Sequence, residues 1–278
     1  MVITKEFRIN LPMTVDDFER GQLYAVAHCS KNETGGGEGA QFLKQEEFTS
    51  DDIVPGKRLN GTYTYKLYKL RSKAPWFMQK VLPPEAFEVH EESWNAYPYC
   101  KTVITNPGYM KNNFKVVIES LHLPDDGTSP NPLQAKESRD IHVIDICDDA
   151  FLHKDDYNEV LDPKIFKSKS TGIGPLAPKW AQTTKPIMCA YKLVTVHFKW
   201  TGLGSLIEKS IMKQYPRIFG KLHRESWCWI DDWYSMSMDS IRMMEEKIAQ
   251  ILEGQILEEN RRGTTCNDST DPRTGERA

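Results

Sequence analysis

Residues 189–200 read CAYKLVTVHFKW, and residues 203–222 behind them read LGSLIEKSIMKQYPRIFGKL. In the first stretch Val194, Val196, Phe198 and Trp200 share one parity, while Leu193, Thr195, His197 and Lys199 share the other. That alternation describes a strand with two different faces. In the second stretch Leu203, Leu206, Ile207, Ile211, Tyr215, Phe219 and Leu222 recur every three or four residues, the period of a helix with one apolar stripe. Pro216 falls inside that stripe and predicts a kink or an interruption. A long strand running straight into a long helix sets the class to be argued for the rest of the chain.

Working outward, residues 2–11, 61–71, 99–106, 114–120 and 141–146 alternate as strands do. Residues 14–30 begin with a Thr cap and an acidic first turn, then carry Phe18, Leu23, Val26 and Ala27 at helical spacing. A second helical pattern spans 238–258. The glycines of NETGGGEGA are followed by no Lys-Ser/Thr, so they predict a flexible turn rather than a phosphate loop. Residues 122–138 are a Pro- and Asp-rich loop, and 148–187 are a long irregular segment of the kind that is functional or mobile. Many antiparallel strands followed by long C-terminal helices give an α+β fold, with the helices on one face of a curved sheet. One domain is expected over 1–258, and a disordered polar tail over 259–278.

The chain has 278 residues and a net charge of −3, which argues against a nucleic-acid binder with its basic stripe. No run of eighteen apolar residues occurs, and MVITKEFRINLP lacks the apolar block of a signal peptide. The expectation is a cytoplasmic protein. None of the six cysteines forms a CxxC pair, so the sequence supports no metal site, no redox motif and no cofactor. The histidines include no HExxH and the serines no G-x-S-x-G elbow. Cys100 beside Lys101 is the one weak candidate for a nucleophile.

Four places conflict with their own pattern. With Ile241 at zero on a helical wheel, Glu245 lies at about 40°, beside the apolar stripe of Met244, Ile248 and Leu252. It is either a flank residue reaching solvent or a contact to a ligand or partner. In GTYTYKLYKL, Thr64 and Lys66 project from the same strand face; a solvated face is one reading, and a hydroxyl beside an ammonium suits a phosphate or its neighbouring hydroxyls as the other. In WNAYPYCKTVITN, Pro98 should bend a core strand, and Asn95 emerges among rings where a buried amide needs partners. Trp200 at a strand-to-helix corner is either a core anchor or an interfacial ring.

KEFRINLPMTVDDFERGQLY, SKNETGGGEG, GTYTYKLY, WNAYPYCKTVITN, DPKIFKSKSTGIGPL, MCAYKLVTVHFKW and WCWIDDWYSMSMDSIRMMEE occur in this order and span residues 5 to about 250. Together they resemble the phosphatidylinositol transfer protein family in its small single-domain form. The resemblance implies a START-like helix grip, in which a concave antiparallel sheet and long helices enclose one phospholipid, with the C-terminal helix of 238–258 and the 148–187 loops as lid and regulatory region. It implies no enzyme and no metal. The cargo would be phosphatidylinositol and phosphatidylcholine, carried by a monomer that meets membranes transiently. Phosphoinositide kinases are further partners it allows.

Residue by residue, the resemblance makes Thr64, Lys66, Asn95 and Glu245 the inositol headgroup contacts. Gln22, Tyr24, Cys100 and Thr102 would line the lipid cavity, and Ser168 matches a phosphorylation position. Trp200 matches the first residue of a membrane-docking Trp-Trp pair whose second residue here is Thr201, which implies weaker docking. The region before KPIMCAYK is shorter than in the vertebrate alpha and beta forms and looks more like the retinal-degeneration-B-related class, some of which handle phosphatidic acid. Two further readings stay open: an adaptor that presents lipid to a kinase, and a cysteine-dependent hydrolase.

Overall fold

The computed structural model describes residues 2–135, 139–260 and 262–263. Strand β1 (Val2–Leu11) is followed by helix α1 (Val15–Glu33), whose N-cap Thr14 accepts from the Asp17 N–H at 3.1 Å, as the sequence predicts. Then come β2 (Gly39–Val54), β3 (Lys57–Lys69), the short α2 (Trp76–Val81), β4 (Glu88–Ala96), β5 (Tyr99–Asn106), β6 (Lys111–Leu123) and β7 (Asp140–Ile144). The last part holds α3 (Trp180–Thr183), β8 (Met188–Phe198), α4 (Gly204–Cys228), α5 (Ile230–Trp233) and α6 (Met238–Gln255). The eight strands form one unclosed sheet in the order β2-β3-β4-β5-β6-β8-β1-β7. Every neighbouring pair is antiparallel except β1 and β7. This is the α+β, START-like arrangement expected, with α1, α4 and α6 packed across one face.

β8, between β6 and β1, is the strand buried on both sides. Ala190, Val194 and Val196 are fully buried toward the helices, and Tyr191 is fully buried on the other face. There the Tyr191 hydroxyl donates to Asp125 at 2.7 Å, under the loop that follows β6. Across β8 and β1, Phe7 meets Phe219 edge-on at 5.5 Å and Tyr215 at 6.3 Å. Those contacts flank Pro216, and α4 runs as one 25-residue helix through it. Of the kink or interruption expected at Pro216, the interruption does not occur. A proline inside a helix, through its lost backbone hydrogen bond and its ring clash together, costs on the order of 3 kcal/mol, and burial of Met212, Tyr215 and Phe219 on the adjoining turns offsets it.

One other expectation is corrected, one is made specific, and two strands that periodicity does not mark are added. β2 and β4 were not visible as alternating segments: β2 is an edge strand with a polar, exposed middle and a bulge between Phe42 and Lys44, and β4 is half-buried along most of its length. The glycine-rich turn is held, not free. The N–H groups of Gly36 and Gly37, at φ +63° and +80°, donate to the Glu258 and Ile256 carbonyls at 3.0 Å, so the turn seats the end of α6. Beside it the buried Gln255 amide donates to the Lys31 and Thr34 carbonyls at 2.6 Å each. The bend in WNAYPYC is a hairpin turn, with a cis Tyr97–Pro98 bond, which folds β5 back on β4 and pairs Asn95 with Cys100.

Residues 148–187 contain α3 and several turns tied down by α4 and α5. Arg224 pairs with Asp149 at 2.7 Å and Asp162 at 3.0 Å, and Arg217 holds Asp156 through two bonds of 2.6 and 2.9 Å. The predicted disordered tail lies outside the described residues from 264 onward.

Candidate functional site

Register sorts the concave face of the sheet into rows that cross five strands. The first row is Thr62, Asn95, Cys100, Ser120 and Lys192. The second is Thr64, Ser93, Thr102, Ile118 and Val194, and the third is Lys66, Glu91, Ile104, Val116 and Val196. Further along, Tyr68 pairs with Val89 and Phe114 with Phe198. The face thus passes from a row of polar side chains to one of aliphatic and aromatic side chains, and the change is steepest on β6 and β8.

The apolar end opens into a cavity of about 520 Å³. Val89, Ile104, Phe114, Val116 and Phe198 from the sheet line it, with Met78 and Leu82 from the β3–β4 connection and Ile211, Tyr215 and Ile218 from α4. Glu91 belongs to both the lining and the third row, and Lys66 lies 3.8 Å from its carboxylate. The Lys66 ammonium also sits 4.5 Å above the Phe42 ring and is almost wholly buried.

Glu245 comes to this end from α6 and is buried, which settles its position on the wheel as inward-facing. Burial raises its pKa above the usual carboxylate range, opposed by the Arg242 guanidinium and by Lys66. Asn95 Oδ1 accepts from the Cys100 thiol at 2.9 Å, and the Gln22 amide of α1 donates toward the same sulfur at 3.8 Å. Thr102 and Ser93 share a hydroxyl hydrogen bond of 2.8 Å in the second row. Thr64, Lys66, Asn95, Glu245, Gln22, Cys100 and Thr102 are therefore brought to one region. Burial pushes the Cys100 thiol up to about 11, so it is a neutral thiol rather than a thiolate nucleophile. Cys100 and Thr102 lie in the polar rows, with Gln22 beside them, and none of the three is among the residues that line the apolar cavity.

Tyr24 is not brought there. Two residues on from Gln22, it points to the opposite side of α1, stacking on His28 at 4.2 Å and meeting Trp229 at 6.1 Å. Ser168 is almost fully buried; its hydroxyl donates to Asp231 at 2.7 Å and accepts from the Thr171 N–H at 3.0 Å. Trp200 lies just past β8, half-buried, with its ring 6.4 Å from Phe198 and 5.9 Å from Tyr109, while Thr201 is exposed.

Several residues at the polar end escaped the sequence reading. Lys192 is buried; among the described residues it donates one hydrogen bond, to the Ser120 hydroxyl at 3.3 Å, and its ammonium lies 5.2 Å from the centre of the Phe219 ring, while burial pushes it down to about 8. His122 and His223 flank Phe18, at 5.1 and 5.5 Å. Burial and the nearby Lys192 hold both imidazoles neutral, His223 at about 3. Both ring nitrogens of His122, Nε2 of His223 and Oε1 of Gln22 have no hydrogen-bond partner among the described residues. Such a concentration of unsatisfied buried polar atoms marks a place built to receive polar groups. The signal for Lys192 was present: it breaks the apolar parity of Ala190, Val194, Val196 and Phe198.

Among the described residues no cluster of His, Cys, Asp and Glu could hold a metal ion, and no helix is long and apolar enough to cross a membrane. A family model described as phosphatidylinositol transfer protein matches residues 2–250. The chain is 45% identical over 279 residues to the phosphatidylinositol transfer protein beta isoform of Rattus norvegicus, covering 97% of this chain and all of that protein. It is 38% identical to phosphatidylinositol transfer protein 1 of Dictyostelium discoideum, over 93% of this chain and 97% of the relative. It is 39% identical to membrane-associated phosphatidylinositol transfer protein 1 of Mus musculus, covering 90% of this chain but only 20% of that longer relative.

Proposed function

Because the chain belongs to the phosphatidylinositol transfer protein family, we propose that it lifts one phospholipid from a membrane and exchanges phosphatidylinositol for phosphatidylcholine. The observation that carries this reading is the graded face, polar in its first row and apolar beyond, enclosed by helices. An amphiphile has the same gradient. Moving acyl chains into water costs about 0.8 kcal/mol per CH₂, on the order of 20 kcal/mol for two chains. An apolar cavity removes most of that cost, which is why transfer needs a protein.

In this reading the acyl chains occupy the cavity bounded by Phe114, Val116, Phe198 and Tyr215. The phosphate, common to both lipids, sits by Lys192 and Ser120, with Gln22 and Thr102 adjacent. The inositol ring takes hydrogen bonds from Lys66 and Thr64 and gives them to Asn95 and Glu245, since its hydroxyls can do both. Choline has no hydroxyl to donate, so these four residues discriminate between the two cargoes. Trp200, with the Tyr109 ring beside it, would meet the membrane surface. A phosphatidic acid carrier is not favoured, since identity to the beta isoform runs over almost the whole chain.

The test is vesicle-to-vesicle transfer of both lipids by Lys66→Ala and Glu245→Gln. Losing one hydrogen bond to a charged group is worth about 1.5–3 kcal/mol. The ratio of phosphatidylinositol to phosphatidylcholine transfer should therefore fall about tenfold or more. An equal loss for both lipids would remove the headgroup assignment. Bound lipid without any exchange would favour an adaptor that only presents it.

A further inference from the structure

We infer that Arg242 is a positioning residue for headgroup discrimination: its guanidinium orients the Glu245 carboxylate and pins α6 to β3 at Thr62. The inference rests on the reading of Glu245 as an inositol acceptor. Arg242 Nη1 donates to Glu245 Oε2 at 2.8 Å, and Nη2 donates to Thr62 Oγ1 at 3.1 Å. The planar fork reaches both partners at once, something a single ammonium cannot reproduce. Thr62 is paired with Asn95 across β3 and β4, so the contact closes the lid helix onto the first polar row.

The charges around Glu245 show why this arginine matters. From its own helix it faces Arg242 and Glu246, and from β3 it faces Lys66. Lys66 is shared, because Glu91 of β4 lies 3.8 Å from the same ammonium. Glu19 of α1 in turn faces Arg242. Arg242 is thus the cation in direct hydrogen-bond contact with Glu245, and the carboxylate is buried enough that burial alone favours its neutral form. A protonated Glu245 presents an O–H where an inositol hydroxyl needs an acceptor. Phosphatidylcholine makes no such demand, so loss of the arginine charge falls on one cargo.

The experiment measures the phosphatidylinositol-to-phosphatidylcholine transfer ratio from about pH 6 to about pH 9, a range in which neither phosphodiester titrates. Each unit by which the Glu245 pKa climbs above the working pH removes its ionised form about tenfold. Arg242→Met and Arg242→Gln should both lower the ratio severalfold to about tenfold near pH 6, with recovery toward the wild-type ratio as the pH rises. Arg242→Gln keeps hydrogen-bonding capacity without charge, so it separates charge from packing should the Met variant fold poorly. Arg242→Lys retains the charge but not the two-pronged contact, so it should keep the shape of the wild-type pH profile at a ratio lowered by a similar factor at every pH. Glu245→Gln has nothing to titrate, and its ratio should stay low at every pH. If Glu245→Gln leaves the ratio intact, the headgroup reading itself fails. If Glu245→Gln lowers the ratio while both neutral Arg242 variants follow wild type, or lose both lipids in proportion, the role given to Arg242 is overturned and the headgroup reading stands.

Discussion

Lys192 carries the largest conflict between folding and cargo. Burial pushes its ammonium from 10.5 down to about 8, and that gap corresponds to about 3 kcal/mol of unfavourable burial at neutral pH. The sign follows from proton counting. Below pH 8 the ammonium is charged in both states and the whole penalty is present. Between pH 8 and 10.5 the unfolded chain holds the proton that the folded chain has released, so this group's contribution to stability rises with pH. Lys192→Met removes the charge and keeps most of the stem, so the lipid-free protein should gain up to about 3 kcal/mol at pH 7. At roughly 2–4 °C per kcal/mol for a chain of this size class, the midpoint should rise by up to roughly 6–12 °C. Calorimetry of delipidated wild type and variant, at pH 7 and again near pH 10, reads this directly. The difference between them should shrink at the higher pH, where the wild-type lysine is already neutral. In transfer assays the same variant should lose both cargoes, since both carry the phosphate placed beside Lys192. A variant that melts lower than wild type at pH 7, or a gain independent of pH, would refute the reasoning: Lys192 would then be paid for by contacts within the protein rather than reserved for a ligand.

Two other perturbations reach the loop and the membrane end. Burial alone would raise Asp231, but the Lys169 and Ser170 N–H groups and the Ser168 hydroxyl outweigh it and hold the carboxylate at about 2. Ser168→Glu places a second negative charge against that carboxylate and should release the loop, read as faster limited proteolysis between residues 163 and 176; unchanged cleavage would show that this contact does not hold it. Thr201→Trp adds a second ring at the exposed corner beside Trp200 and should increase vesicle sedimentation severalfold, and no increase would move the docking site elsewhere.

The class of fold was readable because β8 and α4 have unambiguous periods, and because α1 begins with a capping Thr. β2 was not, since an exposed edge strand with a bulge has no buried face to impose alternation. Asn95 and Glu245 stand out in the sequence as polar groups in apolar company and Lys66 as an ammonium beside the Thr64 hydroxyl, yet local pattern leaves each with an ordinary alternative. Their roles depend on neighbours supplied by other strands and by α6, and periodicity carries no information about which strand lies beside which.

The gradient itself was nevertheless written into two single strands. Along β6 one face reads Phe114, Val116, Ile118, Ser120 and His122; along β8 it reads Lys192, Val194, Val196 and Phe198. Each passes between apolar and polar ends, in opposite directions. Placed side by side at random, the two gradients would cancel. Antiparallel pairing, with Ser120 opposite Lys192 and Phe114 opposite Phe198, superimposes them and makes one polar end and one apolar end. A core strand gains nothing from such matching, since burying Lys192 costs stability that a Met would not. An anionic group arriving at that end with an apolar body trailing toward Phe114 and Phe198, the shape of a phospholipid, would offset a cost that the Ser120 hydroxyl and the Phe219 ring do not remove.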